Sequence, residues 1–114
     1  MIIELPYPPT ANTYWRNVGG RVLLSKKGRL YRKAVQALAW AHKWPQYGNQ
    51  RVSVLITATM PDRRRRDIDN LHKACLDSLT HAGVWDDDSQ IDDLHIVRDG
   101  VEKPGKLMID IQVL

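Results

Sequence analysis

Residues 52–60 alternate in character: Val52, Val54, Ile56 and Ala58 fall on one side of an extended chain, Ser53, Thr57 and Thr59 largely on the other. That period of two predicts a strand with one wetter face, ended by Pro61. Leu107, Ile109, Ile111 and Val113 repeat the pattern in a final strand, entered through the turn Lys103-Pro104-Gly105-Lys106. Shorter strand candidates are Ile2 to Leu5, Arg21 to Leu24 and Leu94 to Arg98. Pro6-Tyr7-Pro8-Pro9 cannot pair inside a sheet and reads as a loop or sheet edge, and residues 10–20 read as loop.

Two stretches carry the helical period. Ser25 fits as N-cap of a helix running to about Trp44, where Pro45 disfavours helical geometry; Gly28 weakens its first turn. Leu30, Ala34, Leu38 and Ala41 recur at 3.6-residue spacing and predict its core face. A second helix is expected over residues 70–82, with Asp69 or Asn70 as cap, Gly83 as stop, and Leu71, Cys75, Leu79 and Ala82 as its apolar stripe. The order strand, strand, helix, strand, helix, strand, strand predicts an α/β (α+β) fold: a single mixed sheet covered by two helices.

A chain of 114 residues is expected to form one domain, over residues 1–114. Its 43% apolar and 26% charged residues argue against disorder. No apolar run approaches the roughly 20 residues of a membrane span, no secretory signal opens the sequence, and the lone Cys75 cannot form an internal disulfide. A cytoplasmic protein with no membrane partner is the expectation, and a thiolate zinc site is excluded.

Charge is distributed unevenly. Residues 1–51 hold nine Lys or Arg against one acid, Glu4, whereas residues 52–114 hold eight bases and twelve acids. The first half suits a polyanion and the second concentrates carboxylates. The informative stretch is Arg63-Arg64-Arg65-Arg66-Asp67-Ile68-Asp69-Asn70, then Lys73, then Asp86-Asp87-Asp88. Clustered carboxylates repel unless a cation sits among them, and a hard divalent ion such as Mg²⁺ prefers oxygen ligands. Asp67 and Asp69 point the same way if extended; Asp69, Lys73 and Asp77 share a face if Asp69 starts the helix. Arginine forks bind phosphate oxygens, and a metal activates water. Lys73 can stabilise charge, position the water or grip an adjacent phosphate. Together these parts suggest phosphodiester hydrolysis.

Each piece also has a plainer reading. Arg63 to Arg66 fit a solvated charge run, Asp86 to Asp88 a turn, Asp67 or Asp69 a helix cap, and Asp77 a surface partner of Lys73. The start Asp67-Ile68-Asp69-Asn70 does not continue as a calcium loop, because its sixth position is His72 and its twelfth Ser78. His42, His72, His81 and His95 show no ligand spacing and read as surface or satisfied side chains.

Arg66-Asp67-Ile68-Asp69-Asn70, Lys73, Asp77, Gly83 and Asp87-Asp88-Ser89-Gln90-Ile91 resemble the signature of the RusA family of Holliday-junction resolvases. Leu5-Pro6-Tyr7-Pro8-Pro9, Asn12, Tyr14, Gly20-Arg21, Ser25, Gly28 and Tyr31-Arg32 are also similar to that family, so the likeness covers nearly the whole chain. It implies a Mg²⁺-dependent (Mn²⁺ as substitute), homodimeric endonuclease that cuts four-way DNA junctions symmetrically, in bacteria and prophages. It also implies metal-carboxylate roles for Asp67, Asp69 and Asp88 and the essential lysine role for Lys73. Asp86 stands where an apolar residue is expected, leaving the choice among Asp86, Asp87 and Asp88 open.

A four-way junction has twofold symmetry, and two chains around a twofold axis supply two matching sites. Tyr7, Tyr14, Trp15, Trp40, Trp44 and Trp85 exceed what so small a core needs; some are candidates for an interface or for base stacking, and Trp40 is expected to be partly buried. One spacing strains a single-chain site. A helix over 70–82 puts Gly83 roughly 20 Å from Asp69, while the five steps to Asp88 reach back at most about 17 Å. Either the helix is shorter or bent, or Asp88 of one protomer completes the site of the other. The rival readings are a noncatalytic binder of structured DNA, a metal nuclease acting on flaps, RNA or unstructured DNA, and a regulatory protein whose arginines contact an acidic partner.

Overall fold

The computed structural model describes residues 1–114. Four strands form the main sheet: β1 (Ile2–Pro6), β4 (Val52–Met60), β5 (Ile91–Val101) and β6 (Lys106–Val113). Their order is β1-β6-β4-β5, with β6 antiparallel to both of its neighbours and β5 parallel to β4. A small hairpin, β2 (Trp15–Val18) and β3 (Arg21–Leu24), stands apart from it. The two main helices are α2 (Lys26–His42) and α3 (His72–His81), and a single helical turn, α1 (Ala11–Tyr14), precedes the hairpin. The expected α+β architecture is present.

The alternation at residues 52–60 does what its period requires. Val52, Val54, Ile56 and Ala58 are buried, and they meet Ile109 and Ile111 of β6 across the sheet. With Ile3, Leu5 and Leu107 they form the dry face, on which Leu71, just before α3, Ala74, Cys75 and Leu79 of α3 and Tyr31 and Val35 of α2 complete the core. Because β4 and β5 run parallel, the chain needs a crossover between them, and the segment 61–90 with α3 supplies it.

Several local expectations change. Residues 10–20 are not all loop: α1 and β2 lie there, and the polar Arg16-Asn17 becomes a strand only through pairing with Leu23 and Val22. β5 is longer than Leu94 to Arg98 because it has β4 to pair with along most of its length. Helix α2 ends earlier than Trp44: Lys43 takes a left-handed conformation, φ 50°, and its N–H reaches Ala39 O. The expected core face of α2 is rotated. Leu30, Ala34 and Ala41 are exposed and Leu38 half-buried, while Gly28, Tyr31 and Val35 point inward. The cause is the approach of α1. A Cβ at Gly28 would lie 2.5 Å from Tyr14 O, and the Tyr31 hydroxyl donates to Pro6 O at 2.8 Å. Ser25 does cap the helix, accepting from Gly28 N at 3.0 Å.

Helix α3 is shorter than expected, and neither Asp69 nor Asn70 caps it. Residues 68–70 form a 3₁₀ turn that leads through the buried Leu71 into the helix. Gly83, φ 85°, ends it as expected. Tyr14 and Trp85 belong to the core, whereas Trp40 is 82% exposed rather than partly buried.

Candidate active site

The site begins where β4 ends. After Pro61 the chain bends, and the Asp62 carboxylate accepts from the Arg64 backbone N–H at 2.9 Å and from Arg66 Nη1 at 2.6 Å. Arg66, and after it the Arg64 N–H, hold the Asp62 carboxyl down at about 2. The Arg66 guanidinium also lies over the Tyr7 ring, 5.8 Å from its centre, and Arg66 O accepts from Arg98 Nη2 at 2.9 Å. Arg66 is therefore anchored by the fold, while Arg63, Arg64 and Arg65 are exposed.

That anchoring delivers the next residues into a fixed turn. Asp67 opens the 3₁₀ turn with an extended backbone, Asp69 lies within it, and Lys73 follows in the first turn of α3. Asp67, Asp69 and Lys73 are exposed, and none takes part in an ion pair. A cleft of about 510 Å³ opens beside Asp67, walled by Tyr7, Thr10, Arg65, Arg66, Asn70 and Leu71.

The second acidic stretch is built separately. Asp87 caps a 3₁₀ turn, Asp88–Gln90, in a capping box. Its carboxylate accepts from Ser89 N, and Ser89 holds it below the usual carboxylate range. The Gln90 side chain, buried, accepts from the backbone N–H groups of Asp86 and Asp87 and donates to Gly48 O at 2.8 Å and Gln50 O at 2.6 Å. The turn is thereby fastened to the loop entering β4. Asp88 and Asp86 stay exposed and outside any ion pair.

The two stretches do not meet within one chain. Asp67 and Asp69 follow the last residue of β4, Asp88 precedes the first of β5, and the strands are parallel. These are opposite strand ends, with the ten residues of α3, about 15 Å of helix, running between them. No three His, Cys, Asp or Glu side chains of the chain gather to hold a metal ion. The shortened helix does not remove the strain read from the sequence.

Two further expectations are corrected. Asp77 is not the partner of Lys73: it is held by Arg32 and by the hydroxyl of the buried Tyr14. His72 is not a satisfied side chain, since its Nδ1 is buried without a hydrogen-bond partner. Burial, and then the charge of Lys73, push its pKa down. Asp62 and Arg98 escaped the sequence reading, and Gln90 entered it only within the family resemblance. The spacing Asp87-x-x-Gln90 is a visible capping signal, but nothing local marks Arg98.

The family model for endodeoxyribonuclease RusA matches residues 6–112. A crossover junction endodeoxyribonuclease of Enterobacteria phage HK97 is 48% identical over 101 residues, covering 89% of this chain and 83% of that one. Proteins of the same description from Enterobacteria phage 82 and from Escherichia coli K12 are each 42% identical over 109 residues, covering 96% of this chain and 91% of theirs. A match that runs through the proline-rich loop, both acidic stretches and the final strand places the chain in the RusA family of endodeoxyribonucleases.

Proposed function

We propose that this chain is a crossover junction endodeoxyribonuclease that resolves four-way DNA junctions by paired nicks, as a homodimer and with Mg²⁺, and that Asp67, Asp69, Lys73 and Asp88 are its cutting residues. The likeness to junction endonucleases over about 90% of the chain supports the reaction class. The observation that carries the residue assignment is a division among the carboxylates. Asp62, Asp77, Asp87 and Asp92 are each occupied by an arginine or a backbone N–H. Asp67, Asp69 and Asp88 are among those left exposed with no such partner, with Asp86, Asp99 and Glu102, and of these only the first three carry the metal-carboxylate roles that the family resemblance implies.

No three carboxylates of one chain gather around a point. Mg²⁺ is therefore assigned to a place where two chains meet, with Asp67 and Asp69 of one and Asp88 of the other supplying oxygens. Mn²⁺ has the same oxygen preference. Arg63, Arg64 and Arg65 grip backbone phosphates at the rim, with Arg66 holding the turn as well as facing the cleft. Lys73 places a cation one helical turn beyond Asp69, where it contacts an adjacent phosphate or steadies developing charge.

The deciding experiment is strand cleavage of a synthetic four-way junction with Mg²⁺ or with EDTA, using mixtures of Asp69→Asn and Asp88→Asn protein. Each variant alone is expected to be inert, and the mixture to recover cutting at one site per dimer. Cutting in EDTA contradicts the metal assignment. Failure of the mixture to recover, with both variants folded, contradicts the shared site.

A further inference from the structure

Residues 5–61 contain no Asp or Glu and nine Lys or Arg. Only Arg32, with Asp77, and Arg51, with Asp92, find a carboxylate partner in the fold; the other seven have none. Part of this uncompensated charge converges. Lys26, Arg29 and Lys33 of α2, with Gln36, the Asp77-paired Arg32 and His81 at the end of α3, line an open cleft of about 690 Å³. Arg29 Nη1 donates to Leu24 O at 3.1 Å, which fixes that guanidinium at the edge. The His81 end of the cleft stands eight residues of α3, about 12 Å, from Lys73, while Arg32 reaches Asp77 one turn from that lysine.

We propose that this cleft binds the sugar–phosphate backbone of a duplex arm of the DNA substrate, a second grip distinct from Arg63 to Arg66. Lys26, Arg29 and Lys33 follow one another at i, i+3 and i+7, and span about 10.5 Å along the helix. Phosphates of one strand advance about 3.4 Å along the duplex axis per step, so cations spread over about 10 Å of helix reach neighbouring phosphates of one backbone segment. Contacts of this kind set register and orientation and read no bases. The grip steadies an arm while the acidic turn faces the crossover. The inference rests on the junction reading above.

The test compares two double variants that remove equal charge. Lys26→Gln/Lys33→Gln alters the cleft; Lys27→Gln/Lys103→Gln alters surface lysines outside it. Binding to a fluorescent four-way junction and to a linear duplex is measured in EDTA across a salt series, with thermal melting as the check on folding. The cleft pair is expected to bind both DNAs roughly tenfold more weakly and to flatten the slope of log affinity against log salt by about 1.8, the control pair far less. Equal effects of the two pairs overturn the cleft. Loss on the junction without loss on the duplex overturns its assignment to an arm. A parent protein that binds duplex as well as junction, yet shows the expected difference between the pairs, keeps the cleft and removes the junction reading instead.

Discussion

Arg32 on α2 and Asp77 on α3 are joined through a single oxygen: Nε and Nη2 of Arg32 lie 2.9 and 2.7 Å from Asp77 Oδ2. Tyr14, from the turn before the hairpin, donates its hydroxyl to the same atom. Three elements distant in sequence are thus tied one turn beyond Lys73. Both charged side chains are only about a quarter exposed, so the pair is weakly screened. Asp77→Ala leaves a guanidinium and a phenol unpaired and is expected to cost about 2 kcal/mol, read from urea unfolding. Arg32→Ala in the Asp77→Ala background should add little, because the two act together.

Asp69→Asn keeps the shape of the turn and removes its charge. Junction binding in EDTA is expected to hold, while cutting with Mg²⁺ falls by roughly 10²–10³-fold or more. Wild-type cutting by this variant contradicts the role of Asp69.

The four arginines should divide. Arg63→Gln and Arg64→Gln each remove an exposed cation, and each is expected to flatten the salt dependence of junction binding by about 0.9, with stability unchanged. Arg66→Gln also releases Asp62 and the Tyr7 ring. It alone should lower the melting temperature, by a few degrees.

Acid distinguishes Asp62 directly. Its carboxyl is held at about 2 in the fold, against about 3.9 in an unfolded chain. A depressed carboxyl contributes stability that is present above the unfolded value and lost as pH falls through the folded one. The advantage of the parent protein over Asp62→Asn should therefore shrink between about pH 4 and pH 2, in paired unfolding curves across that window.

Gly28 sits where α2 meets α1. The Cβ of Gly28→Ala would strike the Tyr14 carbonyl, a backbone atom that cannot swing aside. A loss of about 1–3 kcal/mol is expected despite alanine's better helix propensity. A more stable variant would contradict the packing described.

What could be read in the residues was whatever a local period or a short-range bond decides. Val52 to Ala58 alternate because their partners lie directly across the sheet, and Leu71, Cys75 and Leu79 recur because one helix face is dry. Ser25 and Gly83 mark helix ends through their own backbone chemistry. The acidic and arginine-rich segments announce phosphate chemistry by residue type alone. The spacing of Leu30, Ala34, Leu38 and Ala41 points to the wrong face of α2; the approach of Tyr14 and Pro6 turns the Tyr31 and Val35 row inward instead. The same holds for the carboxylates. Asp77 and Asp88 are chemically identical, and one is engaged while the other is free only because Arg32 and Tyr14 arrive from 45 and 63 residues away. A period reports on neighbours along the chain, whereas a hydrogen bond or ion pair depends on what folding brings alongside, and that is a property of the packed molecule.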